Sequence, residues 1–294
     1  MAVHEVRASG LEYLGLATKL LQRARLTDAE AGLWEAADLQ WWWRTPRRSD
    51  EIDQLFWFDD IGPIAGVVLT DWGRAWGCDP IVVPATSTIP LTVVWARAIE
   101  AISSLGLEVV EVLARDEDFE LLAQLAEAGF VAGDERGGVT WMDSQDRPDI
   151  VALPEGFLLV DRAGETRGPH PMRRRSGEGV EARLRQCSLY DPALDVAVET
   201  ADGQVAGYAL FWFDPLTQVG LVEPMRVEDP YQRRGLARAM LTAGLDRLAN
   251  RGARRLKVGY STDAARRLYV GAGFRVTSTD RSYSWKRPRI DRDC

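Results

Sequence analysis

Apolar and polar positions in the last third of the chain predict a regular series of strands and helices. Residues 220–227 predict a strand and residues 237–250 predict a helix. The short apolar run at residues 256–260 predicts a second strand. A further helix is expected over residues 263–270, and a last strand over residues 275–285. The predicted order is therefore strand, helix, strand, helix, strand.

The turn between the first strand and the first helix reads Gln232-Arg233-Arg234-Gly235-Leu236-Ala237. The first N–H groups of a helix lack partners within the helix, and the helix dipole adds about half a positive charge there. Gly235 has no Cβ to obstruct an approaching phosphate. A turn of this composition is typical of an anion site. An ordinary surface turn is the alternative when the six residues are taken alone.

A second motif downstream makes the pattern more specific. It reads Ala264-Ala265-x-x-Leu268-Tyr269-x-x-x-Gly273-Phe274. Over residues 194–285, the two motifs and their separation resemble the acetyl-CoA-binding half of a GCN5-related N-acetyltransferase (GNAT). The resemblance implies an α/β fold with a splayed pair of parallel strands, acetyl-CoA as the co-substrate, and transfer of its acetyl group to a primary amine of a small molecule or peptide.

The two halves of the chain share a weak internal repeat. Residues 62–67 match residues 203–208, and residues 121–130 match residues 265–274. The helix and strand expected over residues 91–113 match those over 237–258, with Gly106 and Gly252 at the same place. We therefore expect two tandem GNAT-like lobes, residues 1–148 and 149–294, each a mixed, mostly antiparallel sheet flanked by helices. A chance match between two α/β segments is the alternative.

The repeat fails where the anion site is expected. Ile89 stands in the place of Gly235, so a branched side chain obstructs the turn, and Pro90 removes one N–H donor. Leu125 stands in the place of Tyr269. The first lobe is therefore expected to lack a cofactor site, and the second lobe to hold the one catalytic site.

The resemblance implies that acetyl-CoA fills the gap between the two splayed strands of the second lobe. Backbone groups of Met225 and Val227 would pair with the pantetheine arm, and the turn would hold the pyrophosphate. Asp263 stands where the family often has asparagine, so it accepts rather than donates a hydrogen bond. The expected cofactor-binding residues are Met225, Arg226, Val227, Gln232, Arg233, Arg234, Gly235, Leu236, Ala237, Arg238, Asp263 and Arg266.

Two residues are the catalytic candidates. Tyr269 occupies the family's tyrosine position, and a phenol suits protonation of a coenzyme A thiolate; a packed core aromatic is the alternative. Glu223, a carboxylate in the middle of an apolar strand, is the candidate base, because partial burial would raise its pKa. Alternation places it on one face with Met225 and Val227, unless Pro224 introduces a bulge. An ion pair with Arg226 is the alternative role for Glu223.

Composition and charge narrow the function classes. The 294 residues are 46% hydrophobic and 27% charged, as in globular proteins, and they carry a net charge of −8. Residues 1–150 hold 12 basic and 26 acidic residues, and the remainder holds 24 and 18. The more basic half carries the turn, which suits a polyanionic co-substrate. The overall acidity argues against nucleic-acid binding, and no apolar run is long enough for a membrane span.

Cysteine and histidine usage bears on compartment and metal chemistry. The three cysteines, Cys78, Cys187 and Cys294, are isolated, which argues against a disulfide framework and suits a reducing compartment. The start of the chain lacks a basic flank and an apolar segment typical of a secretory signal, so we expect a cytoplasmic location. With His4 and His170 alone, a histidine-built metal site has little material, and no metal is expected.

The acceptor is not identified by any motif. In this family it is bound by the first helices of the lobe, here residues 163–191, where Arg173-Arg174-Arg175 suggests either an anionic acceptor or a flexible charged loop. The Trp41-Trp42-Trp43-Arg44 run is expected to pack between lobes or to line a cleft. The two-lobed plan also resembles that of the mycothiol synthases; antibiotic, polyamine and peptide acceptors stay open. A non-catalytic acyl-CoA sensor or an interaction module is the alternative function.

Overall fold

The computed structural model describes residues 3–164 and 168–288. The strands are β1 (His4–Ala8), β2 (Gln54–Phe58), β3 (Pro63–Asp71), β4 (Trp76–Val82), β5 (Val109–Arg115), β6 (Val131–Asp143), β7 (Phe157–Asp161), β8 (Asp195–Thr200), β9 (Val205–Asp214), β10 (Val219–Val227), β11 (Arg255–Tyr260) and β12 (Arg275–Lys286). The helices are α1 (Gly10–Thr27), α2 (Ala36–Trp43), α3 (Leu91–Ser104), α4 (Phe119–Glu127), α5 (Arg173–Ser176), α6 (Val180–Leu184), α7 (Leu236–Asn250) and α8 (Asp263–Gly271).

The chain forms two compact units from interleaved segments. The first unit takes Met1–Leu33, Pro46–Arg136 and Ser278–Cys294, and the second takes Trp34–Thr45 and Gly137–Thr277. Each unit thus contains segments of both sequence halves. The assignment of residues 1–148 and 149–294 to two lobes stays a prediction.

In the first unit the strand order is β1-β2-β3-β4-β5-β12. Neighbouring strands are antiparallel except β4 and β5, which run parallel. Helix α1 packs against β3, where Leu20 lies close to Gly66. Helix α3 packs against β3 and β4 and buries Val94 and Trp95 in a core shared with Leu125 of α4. The first unit is therefore a mixed sheet flanked by helices.

The second unit has the strand order β7-β8-β9-β10-β11-β6, and its one parallel pair is β10 with β11. Helix α7 buries Leu241 and Leu245 against Leu256 and Val258 of β11. Helix α2 lies against β9 and β10. Because side chains alternate along a strand, Lys257 points away from α7 and reaches the α2 side.

The fold class expected from the sequence is confirmed. All the strands and helices predicted for the last third are present within two residues of their expected ends, and α3, β5 and α4 occupy the expected places in the first half. The order β, α, α, three β, α, β, α, β occurs twice along the chain. The internal repeat is therefore a repeat of topology as well as of sequence.

The last strand of each repeat belongs to the sheet of the other half. Residues 137–143 of β6 pair with β11 in the second unit. Residues 280–286 of β12 pair with β5 in the first unit. Each unit therefore needs a strand that is distant in sequence to complete its sheet.

A buried ion pair fixes α2 within the second unit. Lys257 Nζ donates to Glu35 Oε1 at 2.9 Å, and the two side chains are 2% and 6% exposed. Glu35 directly precedes α2, and its backbone N–H donates to Asp38 Oδ2 at 2.7 Å, which satisfies a free donor at the start of the helix. Lys257 also lies 5.4 Å from the ring centroid of Trp141. A helix from the first sequence half is thus attached to a strand of the second.

Among the described residues, the helices are too short or too polar to cross a bilayer.

We predict that Lys257→Met lowers the free energy of unfolding by about 3–5 kcal/mol, because Glu35 is left buried without its partner. Replacing Glu35 with Gln in the same protein should recover part of this loss, since the remaining buried charge is removed. Urea unfolding followed by tryptophan fluorescence measures both. Lys19→Met, at an exposed position on α1, is the matched control and should change stability by less than about 0.5 kcal/mol. A Lys257→Met variant as stable as this control would show that the ion pair does not hold α2.

Candidate functional site

The parallel strands β10 and β11 separate after three residues. They pair only from Val219 to Leu221, opposite Arg255 to Lys257. Beyond this point β10 continues its pairing with β9, and β11 continues its pairing with β6. The edges of residues 223–227 and 258–260 that face the opening have no strand pairing among the described residues. The splayed strands expected from the sequence are therefore present.

A β-bulge at Glu223 and Pro224 changes which face each residue of β10 presents. Val222 pairs with Phe211 and Met225 with Ala209, so the two residues between them oppose only one residue of β9. Met225 and Val227 pack against the α7 side of the sheet. The expectation that Glu223, Met225 and Val227 share a face is wrong, because the bulge at Pro224 shifts the alternation by one residue.

The turn at residues 232–237 has the backbone form of an anion site. Gly235 has φ +83°, a conformation that L side chains rarely adopt, and a Cβ at this position would meet no atom within 4 Å. Arg233 also has a positive φ, of 62°. Counting from the start of α7, the first N–H that forms a hydrogen bond is that of Ala239, which donates to the Gly235 carbonyl at 3.1 Å. The N–H groups of residues 233–238 thus have no acceptor among the described residues.

The cationic side chains around this turn differ in their partners. Arg233, Arg234 and Arg238 are exposed, and the guanidinium of Arg234 donates to the Pro230 carbonyl at 3.2 Å. Arg226 instead lies 3.4 Å from Asp229 and 3.7 Å from Glu228. Arg226 is therefore committed to its own loop and does not pair with Glu223. Three exposed cations and a row of unbonded N–H groups suit a pyrophosphate.

Helix α8 begins at Asp263, the residue at which the sequence predicted it to begin. Its N-cap is Thr262, whose hydroxyl accepts from the Ala265 N–H at 3.2 Å. Asp263 is therefore the first helical residue and does not cap the helix. Asp263 and Arg266 are both exposed, close to the end of β11 that borders the opening. Their contact with acetyl-CoA stays a prediction.

Glu223 lies beside the opening, and its backbone is held by a buried tryptophan. The indole N–H of Trp212 donates to the Glu223 carbonyl at 2.7 Å. Burial raises the pKa of Glu223 to about 7, and the Asp38 carboxylate adds to the rise. The Arg44 guanidinium acts in the opposite direction. A carboxylate with this pKa exchanges protons readily near neutrality.

Tyr269 lies in the core of the second unit within electrostatic range of Glu223. It is 7% exposed, and its ring meets Phe274 edge-on with centroids 6.2 Å apart. Burial raises its pKa above the ordinary value, and the charge of Glu223 raises it further. The phenol therefore keeps its proton at every pH at which Glu223 titrates. The two catalytic candidates of the sequence are brought together.

The tryptophan run of α2 lies against β9 and β10, which the sequence did not indicate. All three rings are buried, each in its own surroundings. Arg44 stacks over Trp41 at 3.5 Å, Trp42 meets Trp34 edge-on at 4.9 Å, and Arg183 stacks over Trp43 at 3.6 Å. The consecutive tryptophans were a signal for a helix that is buried on every side. Nothing in the sequence shows which strand that helix covers.

The expected acceptor-binding region is ordered by contacts to α2 and to the turn. Cys187, Ser188 and Leu189 hydrogen bond to Gln40, and Trp43 donates to Gln186 at 2.8 Å. His170 Nδ1 accepts from the Met172 N–H, so its Nε2 donates to buried Asp195 at 2.8 Å. The free thiols of Cys78 and Cys187 are buried, and Cys294 lies outside the described residues.

The expectation of a flexible arginine loop is wrong, because residues 173–176 form α5. Arg175 donates twice to Glu228, at 2.6 and 3.0 Å, and Arg173 pairs with Glu178. These carboxylates offset two of the three positive charges. The arginine run therefore serves to join α5 to the loop before the turn, and it gives little support for an anionic acceptor.

Comparison with known proteins agrees with this geometry. Residues 164–274 match the family model described as the acetyltransferase (GNAT) family. Residues 164–274 therefore have the sequence pattern of a GNAT-family domain. Proteins of this family are acyltransferases, and the fold in general binds acetyl-CoA. No curated protein matches the sequence with significance.

Solved structures share the whole two-unit fold. A tandem GNAT protein from the clavulanic acid biosynthesis pathway, solved without acetyl-CoA, is 16% identical with a TM-score of 0.68, over 98% of this chain and 100% of that one. A GCN5-related N-acetyltransferase from Sphaerobacter thermophilus is 20% identical with a TM-score of 0.62, over 98% and 97%. One from Kribbella flavida is 16% identical with a TM-score of 0.52, over 91% and 97%. The TM-scores show a common tandem fold, and at identities of 16–20% the likeness shows the fold alone.

We predict that Gly235→Ala lowers the free energy of unfolding by about 1 kcal/mol, because alanine disfavours the left-handed backbone found there. Urea unfolding measures the change. Gly271→Ala is the control: an added Cβ there also meets no atom within 4 Å, but the backbone is helical, so alanine should be neutral or slightly stabilising. Equal stability of the two variants would show that the turn does not require its left-handed residue.

Proposed function

We propose that this protein is an N-acetyltransferase that moves the acetyl group of acetyl-CoA to a primary amine of a small molecule or peptide. The observation that carries the proposal is Glu223, a carboxylate of pKa about 7 at the point where β10 and β11 separate, with Tyr269 within electrostatic range. An acyl-transfer site needs a base for the amine and an acid for the thiolate, and this pair supplies both.

Acetyl-CoA would be held along the opening and the turn. The unbonded N–H groups of residues 233–238 and the exposed side chains of Arg233, Arg234 and Arg238 favour the pyrophosphate. Gly235 leaves the approach free of a Cβ. The open edge of Met225 and Val227 offers backbone groups to the pantetheine amides, as an added strand would. Gln232, Leu236, Ala237, Asp263 and Arg266 complete the proposed set.

Glu223 would act as the general base. It accepts a proton from the acceptor ammonium, directly or through a water, and the neutral amine then attacks the thioester carbonyl. A C–N bond forms and the C–S bond breaks. The nitrogen loses its second proton to solvent, so the neutral amide is released together with a thiolate. The pKa of about 7 places Glu223 midway between a carboxylate too weak to accept the proton and a group too basic to release it.

Tyr269 would protonate the departing thiolate. Its raised pKa keeps the phenol protonated in the resting protein, so that the proton is present when the C–S bond breaks. The resulting charge on Tyr269 is relieved by return of the proton that Glu223 has taken up, through solvent or directly. The proton therefore moves from amine to thiolate without a net change in the protein.

We further propose that the first sequence half holds no acetyl-CoA site. Helix α3 begins after Pro90, which has no N–H to donate, and Ile89 packs against the core of the first unit. Calorimetric titration with acetyl-CoA should therefore give one site per chain. Two sites would overturn this assignment, and no binding would overturn the acetyltransferase proposal.

We predict that Glu223→Gln lowers kcat/KM by about 10²–10⁴-fold with an amine found by screening coenzyme A release, while the affinity for acetyl-CoA is unchanged. In the parent protein the base works only when ionised, so kcat/KM should fall as pH decreases through about 7. This acidic limb should disappear in the variant. Glu199→Gln, on β8 of the same sheet, is the control. This variant should keep both the value of kcat/KM and its fall at acidic pH. A limb that survives in Glu223→Gln would assign the base to another group.

We predict that Tyr269→Phe keeps the affinity for acetyl-CoA and lowers kcat, because the ring stays packed against Phe274 while the proton donor is lost. Stopped-assay kinetics and calorimetry measure the two quantities. The variant also separates an enzyme from an acyl-CoA sensor, which would bind acetyl-CoA equally well and show no turnover before or after the change. Full turnover in Tyr269→Phe would show that solvent protonates the thiolate.

A further inference from the structure

We propose that the cleft between β7, β8 and residues 168–171 binds a small α-amino acid, with Arg162 receiving its carboxylate and Asp195 its ammonium group. The cleft has a volume of about 260 Å³. This is slightly below the range of drug-sized ligand pockets, so a small metabolite fits it best. In the strand order of the sheet, the cleft lies three strand spacings from the opening between β10 and β11, or about 14 Å. The site is therefore separate from the proposed acetyl-transfer site and does not rest on that function.

The cleft lies on the face of the sheet that α5 and α6 cover. Val160 of β7 pairs with Ala197 of β8, and both residues line the cleft. Because side chains alternate along a strand, Asp195 shares the face of Ala197. The side chain of Asp161 points to the other face, where Arg247 of α7 donates to it at 3.0 Å. Asp195 therefore borders the cleft next to an apolar wall.

Asp195 is a buried carboxylate whose hydrogen-bond donors are both neutral. His170 Nε2 and the Tyr190 hydroxyl each donate to its Oδ2 at 2.8 Å, and its side chain is 3% exposed. His170 is neutral because its Nδ1 accepts from the Met172 N–H. Burial and the Asp195 charge raise the pKa of Tyr190, so the phenol keeps its proton. Among the described residues no arginine or lysine pairs with Asp195, and its Oδ1 is available to a cationic ligand.

Arg162 supplies the opposite charge at the same cleft. Its side chain is 10% exposed, and its Nη2 donates to Glu181 Oε2 at 3.0 Å. Glu181 also pairs with Arg185 at 2.9 Å, so one carboxylate is shared by two guanidinium groups. The Nε of Arg162 is buried without a hydrogen-bond partner, and its bond to the Gly168 carbonyl again comes from Nη2. The guanidinium therefore has a donor and part of its charge left for a carboxylate.

These two charges face one cleft and do not pair with each other. No ion pair joins Arg162 to Asp195 in the part of the chain that the structure describes. Both nevertheless lie within electrostatic range of Tyr190. A ligand with a carboxylate and an ammonium group on one carbon would bridge them, and the wall of Val160 and Ala197 suits an apolar side chain. A simple anion or a simple amine would satisfy only one of the two charges.

The test is calorimetric titration of the parent protein with three matched probes. L-Norleucine carries both charged groups, hexanoate lacks the ammonium group, and pentylamine lacks the carboxylate. Loss of one charge-assisted hydrogen bond weakens binding by about tenfold or more, so both analogues should bind at least about tenfold more weakly than L-norleucine. An analogue that binds as tightly as L-norleucine would overturn the assignment of one charge. Absence of L-norleucine binding at millimolar concentration would overturn the proposal.

Two variants assign the charged groups to their residues. Asp195→Asn removes the charge but keeps an acceptor oxygen, and Arg162→Gln leaves Glu181 paired with Arg185. Each variant should weaken the binding of L-norleucine by about tenfold or more. Asp195→Asn should leave hexanoate binding unchanged, and Arg162→Gln should leave pentylamine binding unchanged. Unchanged L-norleucine affinity in both variants would overturn the proposal. The probe series on the parent protein does not depend on how either variant folds.

Glu199→Gln is the matched control, because it removes a charge from the same strand. Glu199 lies four residues beyond Asp195 on β8, or about 13 Å away, out of reach of the amino-acid head group. L-Norleucine affinity should be unchanged in this variant.

Because L-norleucine also carries an amine, Glu223→Gln is titrated in parallel and should bind it as the parent protein does. Loss of binding in Glu223→Gln alone would place the amino acid at the acetyl-transfer site and would overturn the proposal. If L-norleucine binding depends on Arg162 and Asp195 and no amine is acetylated, the cleft assignment stands and the proposed acetyltransferase function fails. The two proposals are thereby tested separately.

Discussion

The buried ion pair between Glu35 and Lys257 is the constraint on which the site of the second unit depends. Both side chains are buried, and the ion pair holds the start of α2 on the face of β11 opposite α7. With that end fixed, α2 lies against β9 and against β10, the strand that carries Glu223. A helix distant in sequence is thereby made part of the second unit, whose site residues follow the family pattern.

Much of the second unit could be predicted because its signals are local. The turn at residues 232–237 is a sequence of neighbours whose N–H groups and Gly235 act within one helix start, and the splayed strands follow from its family resemblance. Tyr269 is placed by the spacing within a single helix. The ends of these strands and helices could be predicted to within two residues, because the spacing of apolar positions changes sharply at each end.

The features that escaped prediction all involve residues that are distant in sequence or a local change of register. The exchange of β6 and β12 between the two sequence halves depends on pairing with strands that are distant in sequence. The packing of α2 against β9 and β10 joins positions in different halves of the chain. The bulge at Pro224 was foreseen only as an alternative, because a proline in a strand is compatible with a bulge or with an edge.

The repeat itself shows what the bulge contributes. Asp79-Pro80 of β4 stands at the place of Glu223-Pro224, and β4 also separates from its parallel neighbour after a short pairing. Yet β4 keeps a regular register with β3, where Asp79 pairs with Val68 and Pro80 with Val67. An acid before a proline at the end of a parallel pair is therefore not sufficient to form this site. The second unit differs in three respects: β10 has an extra residue at the bulge, Trp212 donates to the Glu223 carbonyl, and α2 packs against β10. The Glu223 carboxylate is thereby turned out of the strand, and its pKa is about 7.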